Sequence, residues 1–96
     1  MTARQAARIL EKVQSSRGVA KRQHFLDRLD EYGFDILDAY RILETGRMSR
    51  PRWDGVHENW TVRLVGRTPD GEDAAVVLAI STAPERVFFV TIEDLR

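Results

Sequence analysis

In the first half of the chain apolar side chains recur every three or four positions, and in the second half they alternate with polar ones. Ala6, Ile9, Leu10 and Val13 share one helical stripe, with Arg4, Arg8, Glu11 and Lys12 elsewhere, which predicts a helix over residues 3–15 capped by Thr2. Ser15-Ser16-Arg17-Gly18 supplies its stop. A second helix over 22–32 carries Phe25, Leu29 and Tyr32 on its core stripe and ends at Gly33. Asp35 then caps a third helix over 36–45, whose apolar face is Ile36, Ala39, Tyr40, Ile42 and Leu43 and whose stop is Gly46. Val19-Ala20-Lys21, between the first two helices, is too short to assign.

Beyond Gly46 the period falls from 3.6 to 2. The segment from Glu58 to Arg67 places Trp60, Val62 and Leu64 on one face of a strand and Thr61, Arg63, Val65 and Arg67 on the other. Thr68-Pro69-Asp70-Gly71 has Pro and Gly where a tight turn uses them, so the strand from Asp73 to Ser81 returns antiparallel. Its run Ala74 to Ile80 is apolar on both faces, which predicts a central position in the sheet. Thr82 to Glu85 turns into a last strand, Arg86 to Ile92. Residues 47–52 add a possible edge strand, where Pro51 is tolerated. The expected architecture is an α+β two-layer domain spanning residues 1–96, with two to three N-terminal helices packed on a three- to four-stranded antiparallel sheet.

Composition narrows the chemistry. The 96 residues hold no cysteine, so disulfides, cysteine-type zinc sites and thiol nucleophiles are excluded, and a reducing cytoplasm suits the chain. The N-terminus lacks the apolar core of a signal peptide, and no stretch reaches the ~20 apolar residues of a membrane span. The zero formal net charge hides an asymmetry: residues 1–50 carry ten Lys/Arg against seven Asp/Glu, and residues 51–96 carry five against eight. An anionic partner would sit on the base-rich half. The same asymmetry also arises from a solvated helical surface beside an acidic strand surface.

The chain has two histidines, His24 and His57, so acid/base chemistry near neutral pH has few candidates. His24 and Arg28 lie four residues apart on the second helix, with Lys21 one turn before and Asp27 within reach. One reading is proton transfer at a phosphate by His24 with Arg28 or Lys21 holding the oxygens; the other is a salt-bridged solvent face using Asp27 and Glu31. Arg63 and Arg67 share a strand face about 13 Å apart at ~3.3 Å per residue, so they either bracket two phosphates or pair with Glu72 or Asp73 across the turn. Arg47, Arg50 and Arg52, followed by Trp53 and His57, interleave cations with flat rings as single-stranded nucleic acid requires, although Trp53 and Trp60 also suit packing against the sheet. His57, beside Glu58, is a second proton carrier. Metal-ligand spacing, a Gly-rich phosphate loop and a nucleophile elbow are all lacking in the sequence, so no metal or cofactor is expected.

From about Gln23 to Thr91 the chain resembles an uncharacterised bacterial domain family related to the RelE/ParE-like toxins, and more loosely the motility quorum-sensing regulator toxins. The resemblance rests on His24-Phe-Leu-Asp-Arg28, Tyr32-Gly33-Phe34-Asp35, Ile42-Leu43-Glu-Thr-Gly46, Trp60-Thr-Val-Arg-Leu and Val90-Thr91-Ile92. It implies a RelE-like fold and a metal-independent endoribonuclease of a toxin–antitoxin system. In such an enzyme the RNA 2′-hydroxyl attacks the adjacent phosphate while side chains move protons and stabilise charge. On that resemblance His24 carries the proton, Arg28 and Arg63 stabilise the phosphate, and Lys21, Arg47, Arg50, Arg67 and Trp53 hold flanking nucleic acid. The implied partners are RNA or the ribosome and a cognate antitoxin, with a homodimer as a further expectation. A non-catalytic module binding nucleic acid or protein through the same surface is the alternative.

Overall fold

Reciprocal capping starts the first helix, α1 (Ala3–Val13): the Gln5 amide N–H donates to Thr2 Oγ1 at 3.3 Å and the Thr2 amide donates to Gln5 Oε1 at 2.8 Å. The computed structural model describes residues 2–14, 19–82 and 84–96. The stop expected at Ser15 to Gly18 lies outside them. Helix α2 (Gln23–Tyr32) begins one residue later than its periodicity suggests because Arg22 takes the N-cap place, and it ends at Gly33, whose φ of +72° is open to glycine at little cost. Helix α3 (Ile36–Thr45) has its own reciprocal cap, Asp35 with Asp38. These caps satisfy amide groups that the helices themselves leave unpaired.

Among the described residues the sheet has six strands: β1 (Ala20–Lys21), β2 (Arg47–Met48), β3 (Arg52–Asp54), β4 (Asn59–Arg67), β5 (Asp73–Thr82) and β6 (Glu85–Asp94). Their order is β1-β6-β5-β4-β2, and β3 also pairs with β4. The apolar run of β5 is central, as its two-sided hydrophobicity predicts. Two details depart from expectation. Val19-Ala20-Lys21 contributes β1, which lies parallel to β6 through Ala20 opposite Phe88 and Lys21 opposite Phe89, a segment too short to show a period. The edge at residues 47–52 is split into β2 and β3, because Pro51 has no N–H for the ladder. Ser49 bridges the gap: its amide donates to the Arg63 carbonyl at 2.8 Å and its Oγ accepts the Arg63 amide at 3.0 Å.

The three helices cover one face of the sheet, where Val62, Leu64, Val76, Leu78, Ile80, Val87, Phe89 and Ile92 join the helical stripes in one buried cluster. The turn expected at Thr82 to Glu85 falls partly on Ala83, outside the described residues. A bulge between Val77 and Leu78 leaves Val90 unpaired on β6, which lets Val87, Phe89 and Ile92 all face the core despite their odd spacing. Phe25 of α2 stacks on Phe89 with ring centroids 4.5 Å apart and planes 7° from parallel, and Tyr40 meets Phe89 edge-on at 5.8 Å. This aromatic contact fixes α2 on β6. The C-terminus of α3 approaches β4 through two glycines: a Cβ on Gly66 would lie 3.1 Å from Gly46 Cα.

Candidate functional site

Among the described residues no helix covers the opposite face of the sheet, and its pattern follows from the register. Thr61 opposes Ala79, Arg63 opposes Val77, and Ala79 opposes Phe88, so small and apolar residues floor the middle while polar ones lie toward the rims. A cavity of about 480 Å³ opens over this floor, formed by Phe88, Val90, Ala79 and Thr61. Arg22 and His24, at the start of α2, bound it beyond the β6 side. Asp54, His57 and Asn59, in and around the β3–β4 turn, bound it on the other. Arg86 and Ser81 complete its wall. The size falls in the roughly 300–1,000 Å³ range of small-ligand sites.

Both histidines of the chain, 33 positions apart in sequence, therefore line one cavity. They differ in their support. His57 Nδ1 lies 2.8 Å from Asp54 Oδ2, while Asp54 Oδ1 accepts the Val56 and His57 amides at 3.0 and 3.3 Å. These bonds, the His57 ring foremost, hold the Asp54 carboxyl below its usual range, so it is ionised near neutral pH and accepts from Nδ1–H. That fixes the tautomer of the neutral ring and leaves Nε2 free to take a proton. The turn that brings Asp54 and His57 together contains Glu58 at φ +51°. His24 is exposed on the first turn of α2.

The cavity is cationic. Neither Arg22 nor Arg86 makes an ion pair among the described residues, and Asp54, already engaged by His57, is the one carboxylate in the lining. The Arg22 guanidinium lies over the Phe88 ring, 3.9 Å from its centroid. Arg22 gives α2 no side-chain cap, and no acidic residue occupies the first turn, so the amides there add to a field that favours anions. In the wall, buried Asn59 has an Oδ1 without a hydrogen-bond partner.

Of the residues expected from sequence, His24 and His57 line the cavity and the others lie elsewhere. Arg28 is bound to Glu31 on α2, an ion pair that raises its pKa, so the second reading of that stripe describes it. Arg63 does face away from Trp60, but it spans β5 to bind Glu93 with Nε–Oε1 at 2.8 Å and Nη2–Oε2 at 3.3 Å. Arg67 pairs with Asp73 at 3.1 Å, the cross-turn partner proposed for it. The Lys21 ammonium lies 5.4 Å from the Tyr40 ring centroid on the helical side. Arg47 and Arg50 are exposed along the β2–β3 edge, and half-exposed Trp53 packs edge-on against Trp60 at 5.5 Å. None of these lines the cavity.

Arg22, Asp54, Asn59 and Arg86 were not singled out by the sequence pattern. The alternation of Arg86 and Phe88 on one strand face is the signal that marks Arg86; Asp54 three residues before His57, with Gly55 between, marks the turn pair. Among the described residues no three of His, Asp and Glu cluster so as to hold a metal ion, and no helix is long and apolar enough to cross a membrane. No protein-family model, curated protein or solved structure matches this chain.

Proposed function

We propose that the chain is a metal-independent endoribonuclease of toxin type that works through the cavity on the uncovered sheet face. The observation that carries this reading is the meeting of both histidines with Arg22 and Arg86 in one cationic cavity. His57, oriented by Asp54, takes the proton from an RNA 2′-hydroxyl. The 2′ oxygen forms its bond to the adjacent phosphorus, and the bond from phosphorus to the 5′ oxygen breaks. His24, in its protonated form, gives a proton to that departing oxygen. A 2′,3′-cyclic phosphate and a 5′-hydroxyl result. Arg22 and Arg86 stabilise the charge that builds on the phosphoryl oxygens, and the Arg22 guanidinium, stacked on Phe88, offers a flat surface to a base.

This assignment keeps His24 as the proton carrier and moves the phosphate-binding role from Arg28 and Arg63, both bound to carboxylates, to Arg22 and Arg86, which make no ion pair among the described residues. The toxin context, with RNA or ribosome as target and an antitoxin as partner, rests on the resemblance of the short segments from His24 to Ile92. The test is incubation of the recombinant protein with single-stranded RNA in a chelator, alongside its overproduction in a bacterial host. Cleavage in the chelator and a halt in translation are expected. RNA that stays intact together with undiminished growth overturns the proposal.

A further inference from the structure

We propose that a single RNA strand passes from the histidine cavity over the β1–β6 edge into a second cavity, so that the site grips successive nucleotides rather than one. The second cavity, about 630 Å³, lies between the end of α1 and the start of β6. It shares Arg22, Arg86 and Phe88 with the histidine cavity, so the two adjoin along that wall. The choice of RNA rests on the ribonuclease reading; the path rests on charge and shape.

Three cations, Lys12, Arg22 and Arg86, line the second cavity against one carboxylate, Glu85, which is 3.4 Å from Lys12. Both members of that pair are well exposed, so the contact is weak and a phosphate can compete for Lys12. Half-buried Val13 adds apolar surface beside these charges, over the largely buried Ile9 and Val87, so a base can lie against the wall while its phosphate meets the cations. At the junction, the Arg22 guanidinium over Phe88 offers charge and a stacking plane at the same point. Lys12 touches only the second cavity, and Lys21 touches neither. The two lysines thus separate a specific strand path from general attraction between a basic surface and a polyanion.

The test measures binding, so that it stands apart from cleavage. A fluorescently labelled RNA octanucleotide carrying 2′-O-methyl groups, which cannot form the cyclic phosphate, is titrated in fluorescence anisotropy against the wild type, Lys12→Glu and Lys21→Glu. Lys12→Gln, which only removes the charge, guards against a folding fault, and circular dichroism checks all variants. Lys12→Glu is expected to weaken binding about ten-fold and to lower the salt slope by about 0.7, the share of one phosphate neutralised by one cation, while Lys21→Glu leaves both unchanged. Equal weakening by the two reversals, unchanged binding in Lys12→Glu, or no binding by the wild type overturns the path. Lys12-dependent binding by a wild type that leaves unmodified RNA intact keeps the path and removes the ribonuclease reading.

Discussion

Replacing Phe25 by Leu tests whether the aromatic contact beneath α2 is what holds His24 at the cavity. Phe25 and Phe89 are both 0% exposed and their rings stack at 4.5 Å, so the variant forfeits an aromatic pair worth about 0.5–1.5 kcal/mol and leaves a small void besides. The total should be about 1–2.5 kcal/mol, or roughly 4–8 °C in Tm for each kcal/mol in a domain of this size. Ile42→Val on α3 is the matched control: Ile42 is equally buried and the change costs about 0.5–1.5 kcal/mol, but α3 carries no cavity residue. Urea unfolding followed by circular dichroism gives the stabilities. A double-mutant cycle with Phe89→Leu should return a coupling of about 0.5–1.5 kcal/mol. RNA cleavage by folded protein should then fall far more in Phe25→Leu than in Ile42→Val, because a shift of about 1 Å in a catalytic group costs on the order of 10²-fold. Equal losses of rate in the two variants, or a coupling below about 0.3 kcal/mol, would refute the view that this stack positions His24.

Asp54→Asn keeps acceptors for the Val56 and His57 amides but removes the carboxylate facing Nδ1, so it should slow cleavage while leaving the fold intact, as a rate assay beside circular dichroism will show. The Asp54 carboxyl is held below its usual range, so its stabilising contribution is present above the unfolded carboxylate pKa of about 3.9 and is lost as pH falls through the folded value; the acid limb of a pH–stability curve should flatten in this variant. Arg63→Ala removes a partly exposed ion pair and should change stability by no more than about 1 kcal/mol and cleavage hardly at all, in contrast to Arg86→Ala, which should raise KM or lower kcat. Gly66→Ala should cost about 1–3 kcal/mol in urea unfolding, since its Cβ would crowd Gly46 Cα at 3.1 Å.

Periodicity alone located all three helices, both Asp and Thr caps, the three long strands and the central place of β5. It missed β1 because two residues have no period, and it read the edge as one strand although Pro51, which has no N–H for the ladder, divides it. At the site, the shared helix stripe of His24 and Arg28 was legible but misleading, because His24 lines the cavity while Arg28 pairs with Glu31 on the same helix. The one-dimensional signal was weakest for partners set by the sheet. Glu93 reaches Arg63 across an intervening strand, and His57 finds Asp54 through a turn rather than its neighbour Glu58. The alternation of Arg86 with Phe88 was legible, but the cavity that gives Arg86 a role exists only once α2 and the β3–β4 turn stand on opposite rims.

Whether His24 and His57 act together on one phosphodiester is decided by cleavage rates for the wild type, both single alanine variants and the double variant, measured in chelator with the product ends identified by mass spectrometry. Joint action gives 2′,3′-cyclic phosphate ends, single-variant losses of about 10²–10⁴-fold each, and a double variant little slower than the worse single, since groups serving one step are not additive. Losses that multiply, products with other ends, or rates untouched by either substitution would mean that the two histidines do not share the step.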